Sequence, residues 1–169
     1  MRGPSGPLGI VPVVSDAPRR TILIATDADD VFDEVDAALS DDVTTLARVR
    51  AGRDVLGAVQ ELQPDLVVLD LQIGNMGGVA TSLELRNEES FGRIDAQRIV
   101  LLLDRSADVF LARRSGADGW LIKPLHTLRL RRAVDAVLAG EDYTEGVEAP
   151  VLTPEAPAAA TGGESSAPA

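Results

Sequence analysis

The sequence predicts an α/β protein built on one five-stranded parallel sheet with helices on both faces. Three observations carry this. Five short apolar runs, at 21–26, 43–49, 66–69, 99–103 and 119–122, alternate with stretches whose apolar residues recur at helical spacing. Most of these runs are unbroken rather than alternating, which suits strands covered on both faces. Charged residues stand just past three of the run ends, at Asp27, Asp70 and Lys123, and the carboxyl ends of parallel strands are where such sheets place their sites.

The first strand is Thr21 to Thr26, followed by a loop of Asp27, Ala28, Asp29 and Asp30. Asp29 or Asp30 can accept backbone N–H bonds at the start of a helix. Val31, Val35, Ala38 and Leu39 mark that helix. The second strand, Val43 to Val49, is less apolar and carries Arg48, which suits a sheet edge. Val55, Leu56, Val59 and Leu62 form one stripe of a helix over 53–62, and Pro64 stops it. Leu66 to Leu69 is long enough for a strand and too short for a helix, with Asp70 at its end and a glycine-rich turn behind it. Val79 to Arg86 begins a third helix, and 87–97 reads as a polar connection. Ile99 to Leu103 is a fourth buried strand. Ala107 to Ser115 is a short helix closed by Gly116. Gly119 to Ile122 is a fifth strand that runs into Lys123-Pro124, and Leu130, Val134, Val137 and Leu138 mark a last helix closed by Gly140.

The flanks differ in composition. Residues 1–18 hold four prolines and read as a disordered lead-in, and 141–169 reads as a disordered acidic tail rich in Ala and Pro, leaving one domain over 19–140. The net charge is −11. Six acids and no base fall in 141–169, which leaves −5 for 19–140 and argues against direct nucleic-acid binding. There is no cysteine and one histidine, so thiolate and histidine-rich metal sites are excluded. No stretch approaches the ~20 apolar residues of a membrane span, and the N-terminus lacks the apolar region of a signal peptide. The expectation is a cytoplasmic protein with no membrane contact.

If the strands are ordered 2-1-3-4-5, Asp27 and Asp70 face each other across the switch point of the sheet. Two neighbouring carboxylates repel unless a cation lies between them, and a hard ion such as Mg²⁺ fits. A lysine opposite, Lys123, could neutralise a phosphoryl oxygen. Such a site suits phosphoryl transfer to a carboxylate.

From about Arg20 to Gly140 the chain resembles the receiver domain of two-component response regulators, whose fold is flavodoxin-like. The matching pieces are Asp27, the Pro64-Asp65-Leu66-Val67-Val68-Leu69-Asp70 strand, the turn through Met76 and Gly78, the segment Gly116 to Trp120, and Lys123-Pro124. The resemblance implies that Asp70 accepts a phosphoryl group from a histidine kinase or phosphotransfer protein. It implies that Asp27, Asp70 and the backbone carbonyl of Gln72 hold Mg²⁺, that Lys123 pairs with the phosphoryl group, and that the Lys123–Pro124 bond is cis. It also implies a partner surface on the last helices, with Trp120, Arg131 and Arg132 as candidates, Arg131 or Arg132 pairing with Asp108 or Asp118 of a second copy in a homodimer. His126 is expected to cap the last helix or face solvent.

The sequence departs from the family pattern at two places. Thr26 stands where receivers carry the first of two adjacent acids, with Asp29 and Asp30 as possible substitutes. Leu103 or Asp104 stands where a Thr or Ser hydroxyl is usual, with Ser106 the nearest hydroxyl. The expected function is therefore a single-domain response regulator, not an enzyme beyond turnover of its own phosphoryl group, that signals to a downstream protein. The alternative is a phosphate-independent receiver that serves as a docking module. A third reading comes from Asp27-x-Asp29-x-Val31, which is similar to the nucleophile motif of haloacid-dehalogenase-like phosphatases.

Overall fold

A computed structural model of the chain describes residues 19–146. The expected lead-in at 1–18 and the tail from 147 onward lie outside the described residues.

Eleven elements succeed one another: β1 (Arg20–Ala25), α1 (Asp29–Leu39), β2 (Thr44–Val49), α2 (Val55–Leu62), β3 (Leu66–Asp70), α3 (Gly78–Ser90), β4 (Ile99–Leu103), α4 (Val109–Arg114), β5 (Gly119–Ile122), α5 (Thr127–Leu138) and β6 (Tyr143–Thr144). Short 3-10 turns at Gly52–Asp54 and Ser106–Asp108 lead into α2 and α4. All strand pairs are parallel, in the order β2-β1-β3-β4-β5-β6. The first five strands stand in the expected order, and β2 is the expected edge.

The unbroken apolar runs are explained by the pleat, which sends successive side chains to opposite faces. Ile22, Ile24, Leu66, Val68, Val100, Leu102 and Leu121 pack on one face against α1 and α5. Leu23, Ala25, Val67, Leu69, Ile99, Leu101, Leu103 and Trp120 pack on the other against α2, α3 and α4. Each central strand thus has two buried faces, and only an apolar residue at every position satisfies both.

Two elements depart from the sequence expectation. Helix α3 runs to Ser90, beyond Arg86. It buries Thr81 and Ser82 beside Leu85, so its apolar signal is weak. Its last turn is held instead by polar bonds. Arg86 binds Glu89 one turn on and the Gln97 carbonyl and Asp118, while Glu89 accepts the Gln97 N–H. The second departure is β6, a sixth strand beyond the expected boundary at Gly140. Tyr143 and Thr144 pair with Gly119 and Trp120, so residues 141–146 belong to the packed unit rather than to a tail.

The turn after β3 depends on two glycines. A Cβ on Gly78 would lie 2.5 Å from the Asp70 carbonyl oxygen, and one on Gly52 would lie 1.9 Å from the Met76 carbonyl oxygen. The start of α3 therefore presses directly on the end of β3. Gly78→Ala is expected to cost roughly 1–3 kcal/mol through overpacking against this backbone, measured by thermal or urea unfolding of the full chain. An unchanged midpoint would show that this contact relaxes freely.

Candidate functional site

The carboxyl ends of β1, β3, β4 and β5 meet at Asp70. Residue Ala25 pairs with Leu69 across β1 and β3, which sets Thr26 beside Asp70. Both are buried, Thr26 fully and Asp70 to 2% exposure. The Thr26 hydroxyl donates to Asp70 Oδ2 at 2.8 Å. Asp70 Oδ1 accepts the Lys123 ammonium at 2.8 Å and the Gln72 N–H at 3.2 Å. A buried carboxylate is stable only when its lone pairs are met in this way.

Lys123 is shared. Its Nζ also donates to Asp104 Oδ1 at 3.1 Å. The other Asp104 oxygen, Oδ2, is buried with no hydrogen-bond partner among the described residues. Burial alone would push the Lys123 ammonium down, but the hydrogen bonds and charges of Asp70 and Asp104 outweigh it and hold it above the ordinary lysine value. The Lys123–Pro124 bond is cis.

Asp27 lies one residue further out on the β1 end and is exposed. Its Oδ2 accepts the Gly74 N–H at 3.2 Å. Asp70 and Asp27 are thereby both tied to one turn, through Gln72 and Gly74. Asp29 is not free to replace the missing acid. Its carboxylate is taken by Arg48 at 2.7 Å and Arg50 at 2.6 Å, and the Arg48 hydrogen bond, followed by that of Arg50, holds it below the ordinary carboxylate value. Arg48 also donates to the Thr26 and Ala28 carbonyls and stacks over Phe32. Asp30 is exposed, and α1 begins without a side-chain cap. Ser106 is exposed at the start of its 3-10 turn and is not among the hydrogen-bond partners of Asp70 or Lys123.

Two of the three residues expected on a partner surface make hydrogen bonds within the chain. Trp120 is buried, and its indole N–H donates to the Glu145 carbonyl at 2.8 Å. Arg131 donates to the Ala38 carbonyl, which ties α5 to the end of α1. Arg132 is exposed. Asp108 is buried against Arg105, which keeps it from Arg131 or Arg132 of a second copy, and Asp118 is bonded to Arg86 within the chain. His126 takes the N-cap position of α5 without a side-chain bond to the helix. A cavity of about 750 Å³ lies at the opposite ends of β3 and β4 among Gln63, Asp65, Arg93 and Arg98, away from Asp70.

The carboxylates that a metal here could draw on are Asp70 and Asp27, both fastened to the turn after β3 by the Gln72 and Gly74 N–H groups. Among the described residues no three Asp, Glu or His side chains group to hold an ion. The donors are all hard oxygens, and Mg²⁺ is commonly held by one or two carboxylates with water and a phosphate completing the shell. The residues present therefore fit Mg²⁺ in a two-carboxylate form, with the Thr26 hydroxyl where a third acid would add charge.

A buried aspartate at the end of a central strand, bonded to a lysine at the end of the next strand but one, is the arrangement that the resemblance to receiver domains implies. The model of the response regulator receiver domain matches residues 22–135, and the chain belongs to that family. It is 30% identical over 115 residues to the nitrate/nitrite response regulator NarL of Escherichia coli K12, covering 68% of this chain and 52% of that protein. It is 32% identical over 129 residues to the DNA-binding response regulator MtrA of Mycobacterium tuberculosis H37Rv, covering 75% of this chain and 54% of that one. The chain thus spans about half the length of these relatives. Among solved structures, the receiver domain of a signal transduction histidine kinase from Syntrophus aciditrophicus superimposes with a TM-score of 0.63 at 26% identity, covering 78% of this chain and 98% of that one. The chemotaxis response regulator CheY4 of Vibrio cholerae superimposes at 0.62 with 21% identity, covering 70% and 98%, and shows the shared fold.

Lys123→Met leaves the Asp70 carboxylate buried without its cation. The expected loss is on the order of 3 kcal/mol, measured by urea unfolding at neutral pH. Because the folded lysine titrates above its unfolded value, the pair's contribution is complete below about pH 10 and is lost only as pH rises through the raised value. The gap between wild type and Lys123→Met should therefore be constant from neutral pH to about pH 10 and close above it.

Proposed function

We propose that Asp70 is a phosphoacceptor, served by a histidine kinase or a phosphotransfer protein, and that the receiver signals by changing its affinity for a downstream protein. The observation that supports this most directly is the 2.8 Å bond from Lys123 to the buried Asp70. In the transfer, an Asp70 carboxylate oxygen attacks the donor phosphorus, the P–N bond of the phosphohistidine breaks, and a P–O bond forms. Oδ2 carries only the Thr26 hydroxyl, whereas Oδ1 carries both Lys123 and the Gln72 N–H. Oδ2 is therefore the less encumbered nucleophile. Lys123 stands ready to neutralise an incoming phosphoryl oxygen, and its release from Asp104 frees a donor for that purpose.

Asp27, Asp70 and the Gln72 carbonyl would hold Mg²⁺, which when bound neutralises charge on the transferring phosphoryl group. The module acts on no substrate beyond its own phosphoryl group in this reading. Its place is the cytoplasm and its partners are proteins. The acidic body supports protein contact over direct contact with nucleic acid, although the relative MtrA is named as DNA-binding.

The second reading is a phosphate-independent docking module, and the Asp104–Lys123 bond favours it. Asp104 holds a negative charge near Asp70 and occupies the lysine. The phosphatase reading loses its support, since Asp29, its acid/base, is bound by Arg48 and Arg50.

Incubation of the full chain with a small-molecule phosphodonor and Mg²⁺ should add the mass of one phosphoryl group, labile to hydroxylamine and absent in Asp70→Asn. No added mass at saturating donor would overturn the phosphoacceptor reading in favour of docking. Thr26→Asp restores a third acid beside Asp70 and should tighten Mg²⁺ binding by about tenfold in calorimetric titration, since affinity rises with the count of charged ligands. Unchanged or weaker binding would show that Thr26 is not at the metal position.

A further inference from the structure

We propose that the outer edge of β5 is a strand-acceptor groove, filled here by the chain's own Tyr143–Gly146, which takes an extended acidic segment of a partner protein when this strap is released. Without β6, β5 would be an open sheet edge, a ready template for another strand. The strap closes it with a two-residue parallel ladder, Tyr143 on Gly119 and Thr144 on Trp120.

Just past that ladder, the groove reads Glu145 and Gly146. The Glu145 carboxylate accepts the Ile122 N–H at 2.9 Å and Arg129 Nε at 2.8 Å, and it is also bonded by Arg129 Nη2. The Glu145 carbonyl accepts the Trp120 indole N–H. These donors belong to β5 and α5, and the strap itself adds one longer bond, from the Tyr143 hydroxyl to Glu145 Oε1 at 3.4 Å. Burial would raise Glu145, but the Arg129 and Ile122 bonds hold it below the ordinary glutamate value, so the groove selects the ionised acid. Gly146 sits at φ +68°, and a Cβ there would lie 3.0 Å from Ile122 Cδ1 and 3.2 Å from Val109 Cγ2. Gly119 leaves room on the groove side, since its own Cβ would lie 2.8 Å from the Tyr143 carbonyl oxygen. The preferred ligand is therefore an extended segment with an aromatic residue two positions before an acid and a glycine after it.

The strap is also the kind of segment that can leave. Only Tyr143 packs against the core, Thr144 is exposed, and the rest of the strap's hold is polar. Segments with few buried apolar contacts open at low free energy. Recognition by strand addition, with the main chain giving affinity and side-chain seats giving specificity, is a known mode of peptide binding. The groove ends at Ile122, next to Lys123, so it shares a strand with the Asp70 site.

The test uses the full chain and two variants that release the strap, Glu145→Ala and Gly146→Val. The probe is a fluorescein-labelled peptide of residues 141–146. A tethered strap competes at high effective concentration, so the intact chain should bind the peptide at least about tenfold more weakly than either variant. Binding should vanish when the peptide glutamate equivalent to Glu145 is replaced by alanine, and peptide should return the Trp120 emission of the variants to that of the intact chain. Absent peptide binding to variants that retain the native circular dichroism, or binding equal to that of the intact chain, would overturn the proposal. So would a concentration-dependent dimer that excludes the peptide, because it would seat a second copy's strap in the groove. If both variants unfold, the strap is a fixed part of the fold and the proposal fails.

Discussion

The Asp70–Lys123 ion pair is the interaction around which the carboxyl end of this sheet is arranged. A carboxylate almost wholly removed from water needs a cation and neutral donors to remain charged, and three segments supply them. Thr26 comes from the end of β1, the Gln72 N–H from the turn after β3, and Lys123 from the end of β5. Each donor is brought there by the parallel register of the strands, so the pair ties function to topology. Asp104, at the end of β4, completes the group but pulls in the opposite sense, because it competes with Asp70 for one ammonium.

That competition gives the site a character of its own. A hydroxyl at the end of β4 would be drawn toward an incoming phosphoryl group. In the proposed phosphoacceptor reading, a carboxylate there would be repelled by the phosphoryl group and would give up Lys123 to it. Asp70 and Asp104 also explain why Lys123 stays charged despite burial. On the β1 side, Arg48 and Arg50 absorb the charge of Asp29 and fasten the loop that carries Thr26 and Asp27. The acidic end of the sheet is thus divided into two carboxylates that share one lysine, one, Asp29, paired with two arginines, and the exposed Asp27, bonded to the Gly74 N–H of the glycine turn.

The C-terminal strap changes the meaning of the α4–β5–α5 side. Trp120, Ile122 and Arg129 all turn toward Glu145 and its neighbours. Of the residues expected on a partner surface, Trp120 is engaged by the strap, Arg131 by the end of α1, and Arg132 is exposed. Arg131 and Asp118 are likewise engaged within the chain, to Ala38 and Arg86.

The sequence alone determined the parallel sheet, because a strand buried on both faces must be apolar at every position and the runs at 22–25, 66–69 and 99–103 are so. It also marked Asp70 and Lys123 as polar strand ends, through the glycine turn and the lone lysine before proline, and the structure brings the two within 2.8 Å. Tertiary structure decided the rest. Helix α3 continues to Ser90 through polar bonds of Arg86 and Glu89 rather than an apolar stripe. Thr26 became a donor to Asp70 only because β1 and β3 lie in register, and Asp29 was withdrawn from the site by arginines at the end of β2. The sixth strand has no apolar run to announce it, and its place rests on Glu145 meeting Arg129 and Ile122 across the sheet edge. Local patterning records burial, whereas charge partners distant in the chain are chosen only once the strands have brought them together.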